Sequence, residues 1–183
     1  MLITRPVRLE DCDKLHRLYC LSPRYFEIIS MPVPLENDVQ RELETALADP
    51  RRELLFLYPG DAPALLPPGS TELASPVGYL DVKHDYPTAG DCTINLLLIA
   101  EPYQSLGYGA RAVRYLEEKT RRQGRTGRLL AGVYGHNPRA VRFWERLGYH
   151  YAVDARPVLE WYAKDLHATT RLDSDGLGLA AAG

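Results

Sequence analysis

Two glycines one residue apart, Gly107 and Gly109, sit in the stretch QSLGYGARAV (residues 104–113), where an apolar run gives way to a helix-forming pattern. Amides at a helix start point outward with a positive partial charge, and residues without side chains let an anion approach closely. A diphosphate suits such a turn. A nucleoside triphosphate loop would need Lys and then Ser or Thr after the glycines, yet Ala110 and Arg111 follow Gly109. A dinucleotide fingerprint would need a third glycine where Ala112 stands. The competing explanation is a tight strand-to-helix turn with no ligand. For proton transfer the ionisable candidates are Asp81, His84, Asp85 and Asp91 in one hairpin, and His136 further on. Strand alternation sets Asp81 and Asp85 on one face and His84 on the other. Asp81 is the favoured base because it lies well inside a strand, although an exposed strand face explains it equally well. His136, beside Asn137, is the second candidate, since an imidazole titrates near neutrality. A lone loop histidine is more often solvated.

These residues need a scaffold, and hydrophobic periodicity outlines one. LITRPVRL at the start reads as a strand, and EDCDKLHRLY as a helix with Leu15, Leu18 and Tyr19 inward. SPRYFEIISMPVP carries three prolines and reads as an irregular connection before a helix from about Glu36, with Val39, Leu43, Ala46 and Leu47 on one face. ELLFLY is a strand, residues 59–76 a loop, and VGYLDVKHDY with CTINLLLIA an antiparallel hairpin across PTAGD. Ala112, Val113, Leu116 and Thr120 mark a helix over 108–123, followed by the buried strand RLLAGVY. Asn137 then caps a helix with Pro138 at its first position and Gly148 as its stop. YHYAVDA and LEWYAKDL read as two closing strands, and residues 167–183 as a loosely held tail. The order implies one α/β domain over 1–166, with a mixed sheet of about seven strands and helices on both faces.

Composition narrows the class of function. A chain of 183 residues with 45% hydrophobic and 25% charged residues fits a single soluble domain. No apolar run is long enough to span a bilayer. The N-terminal segment MLITRPVRLEDCDKL lacks the basic and apolar regions of a secretory signal, so the cytoplasm is the expected compartment and no membrane partner is expected. Cys12, Cys20 and Cys92 show no metal-ligand spacing, and their odd number argues against a disulfide framework. A net charge of −2 disfavours a nucleic-acid partner, although KTRRQGRTGR (119–128) is locally basic; a solvated helix end explains that run.

LLLIAEPYQSLGYGARAVRYLEE followed by NPRAVRFWERLGY resembles the GNAT family of N-acetyltransferases. The family's Q/R-x-x-G-x-G/A loop is matched by Gln104, Gly107, Gly109 and Ala110, and its N-x-x-A helix closed by L-G-F/Y by Asn137, Ala140 and Leu147-Gly148-Tyr149. The likeness covers roughly residues 3–166, and its two motifs at this separation are more specific together than either alone. It implies acetyl-CoA as acyl donor. The backbone of Leu97, Leu98 and Ile99 would pair with the pantetheine arm, while amides of Gln104, Ser105, Leu106, Gly107, Tyr108, Gly109 and Ala110 hold the pyrophosphate. Asn137 would reach the arm or the acyl end, and Trp144 would lie along it, although the helical spacing it shares with Ala140 and Leu147 suits a core position as well. Trp144 stands where the family usually places a tyrosine acid, and Gly132 where some relatives place a glutamate; both leave the acid and base open, with Tyr134 and Tyr103 as proton donors to consider. Tyr25 and Phe26 fall where the family forms a wall of the acceptor pocket.

The resulting expectation is an N-acetyltransferase acting on a primary amine of a small molecule or peptide. A non-catalytic acyl-CoA-binding or regulatory module is the alternative, motivated by Trp144 and Gly132. No metal is expected, and a homodimer is left open.

Overall fold

The computed structural model describes residues 2–60, 75–156 and 159–166. Seven strands form one sheet: β1 (Leu2–Pro6), β2 (Arg52–Pro59), β3 (Gly78–His84), β4 (Asp91–Ile99), β5 (Arg128–Tyr134), β6 (His150–Arg156) and β7 (Leu159–Asp165). Their spatial order is β1-β2-β3-β4-β5-β7-β6. Neighbours run antiparallel except at β4 and β5, which are parallel. A parallel pair needs a crossover, and the helix α4 (Tyr108–Gln123) supplies it. The mixed sheet expected from sequence is therefore present, with β7 inserted between β5 and β6.

Each face of the sheet buries its own apolar layer. On one side α1 (Cys12–Cys20), α2 (Pro23–Ile28) and α3 (Glu36–Ala48) cover Phe56, Tyr58, Tyr79 and Leu98 with Leu15, Leu18, Phe26, Val39 and Leu43. On the other, α4 and α5 (Pro138–Arg146) set Ala112, Val113, Leu116 and Trp144 against Leu80, Val82, Ile94, Leu129 and Ala131. Alternate strand residues thus feed opposite cores, which explains the near-continuous apolar runs in β2 and β4.

The irregular connection expected over 22–34 is partly helical, because α2 occupies Pro23–Ile28. Pro23 is the reason: at the first helical position it loses no hydrogen bond and its fixed φ favours the turn, so here it starts a helix rather than breaking one. Most of the loop expected over 59–76, residues 157–158 between the two closing strands, and the tail expected over 167–183 lie outside the described residues.

Candidate functional site

The strands part where the glycine turn begins. β4 and β5 pair from Asp91↔Arg128 to Ile94↔Ala131, and their ladder goes no further. At the same point the β3–β4 register slips: Val82 pairs with Ile94 and Asp81 with Leu96, so Asn95 has no opposite residue on β3. A bulge bends its strand and strengthens its twist. Asn95 therefore marks where β4 turns away from β5, and the edge of Leu97–Ile99 is left beside a wedge between the strands. Leu97 and Ile99 pack toward the α4 and α5 side, Leu98 toward the opposite core.

Below the wedge, the side-chain amide of Gln104 donates to the Ile99 carbonyl at 2.9 Å and ties the turn back to β4. Ser105 and Gly107 both adopt left-handed backbone, with φ of 64° and 82°. Gly107 thus has a conformational reason to be glycine. Gly109 has none: its φ is not positive, and an added Cβ would meet the Phe143 ring at 3.4 Å and the Ile99 side chain at 3.7 Å, both close to ordinary contact. A bare backbone at the first turn of α4 that neither conformation nor packing demands is what close approach of an outside ligand requires. Cations surround it. Arg139 donates to the Ser105 hydroxyl at 3.3 Å and the Arg111 guanidinium lies over the Tyr108 ring at 5.4 Å. Leu106 is well exposed, while Tyr108 and Ala110 are half-buried. This donor-rich turn fits a diphosphate, and the open β4 edge fits an amide-bearing arm.

Asn137 Oδ1 accepts the Ala140 amide at 3.0 Å, so its side chain caps α5. Trp144, expected along the cofactor arm, is 5% exposed and packs in the core against the rings of Phe143 and Tyr149, at 4.9 and 5.0 Å. Its indole supports α5 from within.

The candidate bases are not brought together. Asp81 is buried on the α1–α3 side, where the Arg52 guanidinium donates to both its oxygens and Asn95 to one of them at 3.4 Å. Burial is the largest influence on the Asp81 carboxyl and raises its pKa, against the lowering pull of Arg52 and Asn95. His84 contacts Glu53 at 3.4 Å. Asp85 accepts the Gly90 amide at 2.9 Å, and Asp91 is held by Arg128 and Thr88. Each hairpin candidate already has a structural partner. His136 lies elsewhere, exposed in a cleft of about 350 Å³ lined by Gly135, Asn137, Val141, Arg142 and Tyr162.

The α1–α3 side carries an aromatic cluster around α2. Phe26 is a core residue, 5% exposed, with its ring edge-on to Tyr19 and Tyr25 at 5.3 and 5.1 Å. Tyr25 is half-buried; desolvation first, then the neighbouring Tyr134 and Glu42, push its hydroxyl pKa up to about 12. The end of α2 is pressed onto the end of β5, since a Cβ on Gly135 would stand 2.7 Å from the Ile28 carbonyl oxygen. Tyr134, 46% exposed, closes the same corner. Glu42 of α3, which no motif singles out, adjoins the cluster through the Tyr19 hydroxyl, 3.5 Å from Oε1. Its side chain is exposed; partial desolvation by the neighbouring protein raises its carboxyl pKa, Arg52 and the Tyr19 hydroxyl lower it, and Asp81 adds to the rise. Its position three residues after Val39 and beside Leu43 places it on the flank of the buried stripe, and that spacing is the only local signal.

Among the described residues no group of His, Cys, Asp or Glu could hold a metal ion, and no helix is long and apolar enough to cross a membrane. A profile of the acetyltransferase (GNAT) family matches residues 25–149. A crystal structure of an acetyltransferase from Thermus thermophilus superposes with a TM-score of 0.79 at 39% identity, covering 90% of this chain and 97% of that one. At 18% identity, an aminoglycoside acetyltransferase in complex with coenzyme A superposes with a TM-score of 0.69 over 90% of this chain and 95% of its own. PaiA N-acetyltransferase from Thermoplasma acidophilum, in complex with coenzyme A, gives 0.64 at 13% identity over 90% and 99%. No curated protein matches significantly.

Proposed function

Because the chain belongs to the GNAT acetyltransferase family, we propose that it is an acetyl-CoA-dependent N-acetyltransferase acting on a primary amine of a small molecule or peptide. The observation that carries this reading is Gly109, bare at the start of α4 with no backbone or packing demand for it, directly below the open edge of β4. Acetyl-CoA supplies an activated acetyl thioester. The chain supplies the amides from Gln104 to Ala110 for the diphosphate, the Leu97–Ile99 edge for the pantetheine arm, and Asn137 to fix the start of α5 beside it.

Transfer forms a nitrogen–carbon bond and breaks the carbon–sulfur bond; the thiolate leaves with the electron pair, the amine gives up a proton and the thiolate gains one. Binding that holds the amine in line with the thioester lowers the barrier without a strong base. Tyr134 is the best-placed donor to the thiolate: it is exposed at the end of β5, on the wall of the wedge. Asp81, held by Arg52, serves to position Asn95 at the bulge.

Calorimetry with coenzyme A tests the reading. The wild type should bind it, and Gly109→Asp, which adds bulk and negative charge at the turn, should abolish binding. Equal affinity in the two proteins would remove the site. Release of thiol from acetyl-CoA across an amine panel then separates an enzyme from the module reading that the buried Trp144 keeps in view, in which the cofactor binds and no amine is acetylated.

A further inference from the structure

The basic run KTRRQGRTGR (119–128), expected from sequence to be a solvated helix end, is sorted by the fold. Lys119 turns inward to Glu53 and Arg128 to Asp91, while Arg122 pairs with Glu118. Arg121 and Arg125 stay exposed, and the ion pairs among the described residues include neither. Arg111 and Arg114 precede Arg121 on the outer face of α4, opposite the buried stripe of Ala112, Val113, Leu116 and Thr120.

A second helix extends this face. Arg139, Arg142 and Arg146 of α5 are exposed opposite the buried Trp144. α4 and α5 cover the same side of the sheet and adjoin, since a Cβ on Gly109 would stand 3.4 Å from the Phe143 ring. Their arginines therefore form one surface, on a chain whose net charge is −2. The opposite layer differs: Lys14, Arg17 and Arg41 each face a carboxylate there.

Two ordinary explanations leave a remainder. A bound diphosphate accounts for Arg111 and Arg139, which stand at the glycine turn, and the negative ends of the helix macrodipoles favour Arg121, Arg122 and Arg146. Neither covers Arg114 or Arg142 in mid-helix, nor Arg125 beyond α4. A surface crowded with one sign of charge attracts a partner of the other.

The chemistry of the face chooses among polyanions. Its unpaired cations are arginines, whose planar forks match phosphate oxygens. Among the described residues no large apolar side chain stands exposed on α4 or α5. A protein partner would find no dry centre there, and a single strand no aromatic platform for its bases. A duplex needs neither, because its outer surface is a row of phosphates. We propose that the outer face of α4 and α5 docks the phosphate backbone of a nucleic-acid duplex without reading its sequence.

The test uses the full chain and a short fluorescent duplex, as DNA and as RNA, with anisotropy read at rising salt. Binding should weaken roughly a hundredfold between about 50 and 200 mM salt, as when several phosphates are neutralised. α4 and α5 both return from the ends of the parallel strands β4 and β5, so Arg121, Arg125 and Arg146 lie away from the glycine turn. Substituting all three, Arg121→Gln, Arg125→Gln and Arg146→Gln, should weaken binding about tenfold or more at low salt and flatten the salt slope by about three, with urea unfolding unchanged. Saturating coenzyme A should leave the duplex bound. Absence of binding at low salt would overturn the proposal, as would unaltered affinity in the triple variant. Displacement by coenzyme A would overturn it by placing the duplex in the glycine turn, and equal binding of polyglutamate would do so by making the face a dock for acidic protein. The tighter of the two duplex forms names the source of the phosphates, and none of these outcomes depends on the acetyltransferase reading.

Discussion

Tyr134 stands at the end of β5 with nearly half its surface open, close enough to Tyr25 to add to the raised pKa of the Tyr25 hydroxyl. If it protonates the departing thiolate, Tyr134→Phe should lower kcat by about tenfold or more and leave the acetyl-CoA KM nearly unchanged, a split that steady-state kinetics reads directly. The glycine turn was legible at this scale because its features are local: the Gln104 side chain ties back to Ile99 five residues earlier, and Gly107 and Gly109 are read from their own missing side chains. The proton-transfer residues were less so. Asp81 looked like a base in a strand pattern, yet its partner Arg52 lies 29 residues earlier. The contact of Glu42 with the Tyr19 hydroxyl was invisible for the same reason, since it joins α3 to α1 across 23 residues.

At the level of elements, α2 matters because it is pinned to the end of β5, where the proposed reading brings in the acceptor. Gly135 has a positive φ of 61°, and its open face touches the Ile28 carbonyl at the end of α2. Gly135→Ala should therefore cost about 1–3 kcal/mol in urea unfolding through backbone strain and displacement of α2. In kinetic assays it should raise the KM for the amine more than that for acetyl-CoA. Periodicity found α1, α3, α4 and α5, each with a repeating apolar stripe. It missed α2, six residues long and opened by a proline, because so short a helix shows less than two turns of pattern. The bulge at Asn95 was equally hidden: a register slip is a property of two strands together, and the apolar run TINLLLIA looks unbroken from one.

Across the whole molecule the acid limb of stability follows from carboxylates held below their ordinary range. Burial, the largest influence on Asp91, pushes its pKa up, but Arg128 and Thr88 outweigh it and bring it below the ordinary 3.8. Arg5, Lys14 and the Arg8 amide do the same for Asp11 against its burial. A carboxylate depressed in the fold binds protons more readily once unfolded, so its contribution is present above the ordinary value and is lost as pH falls through the folded one. Asp81 and Glu42, raised in the fold, act in the opposite direction: what they take from stability grows as pH rises through their raised values. Asp91→Asn should thus lose about 1–2 kcal/mol at neutral pH, with the deficit shrinking as pH falls below the ordinary carboxylate value, measured by urea unfolding at both pH values.

Asp91 and Arg128 are also the first rung of the only parallel ladder among the described strands, which is fastened there and ends at Ile94 and Ala131. The sheet is therefore two leaves sewn by a short seam, one carrying β1 to β4 and the other β5 to β7. Whatever lodges at the unsewn end acts as the missing stitches. A ligand bridging that end would stiffen the joint between the leaves, so coenzyme A should slow hydrogen exchange in the leaf that bears α5.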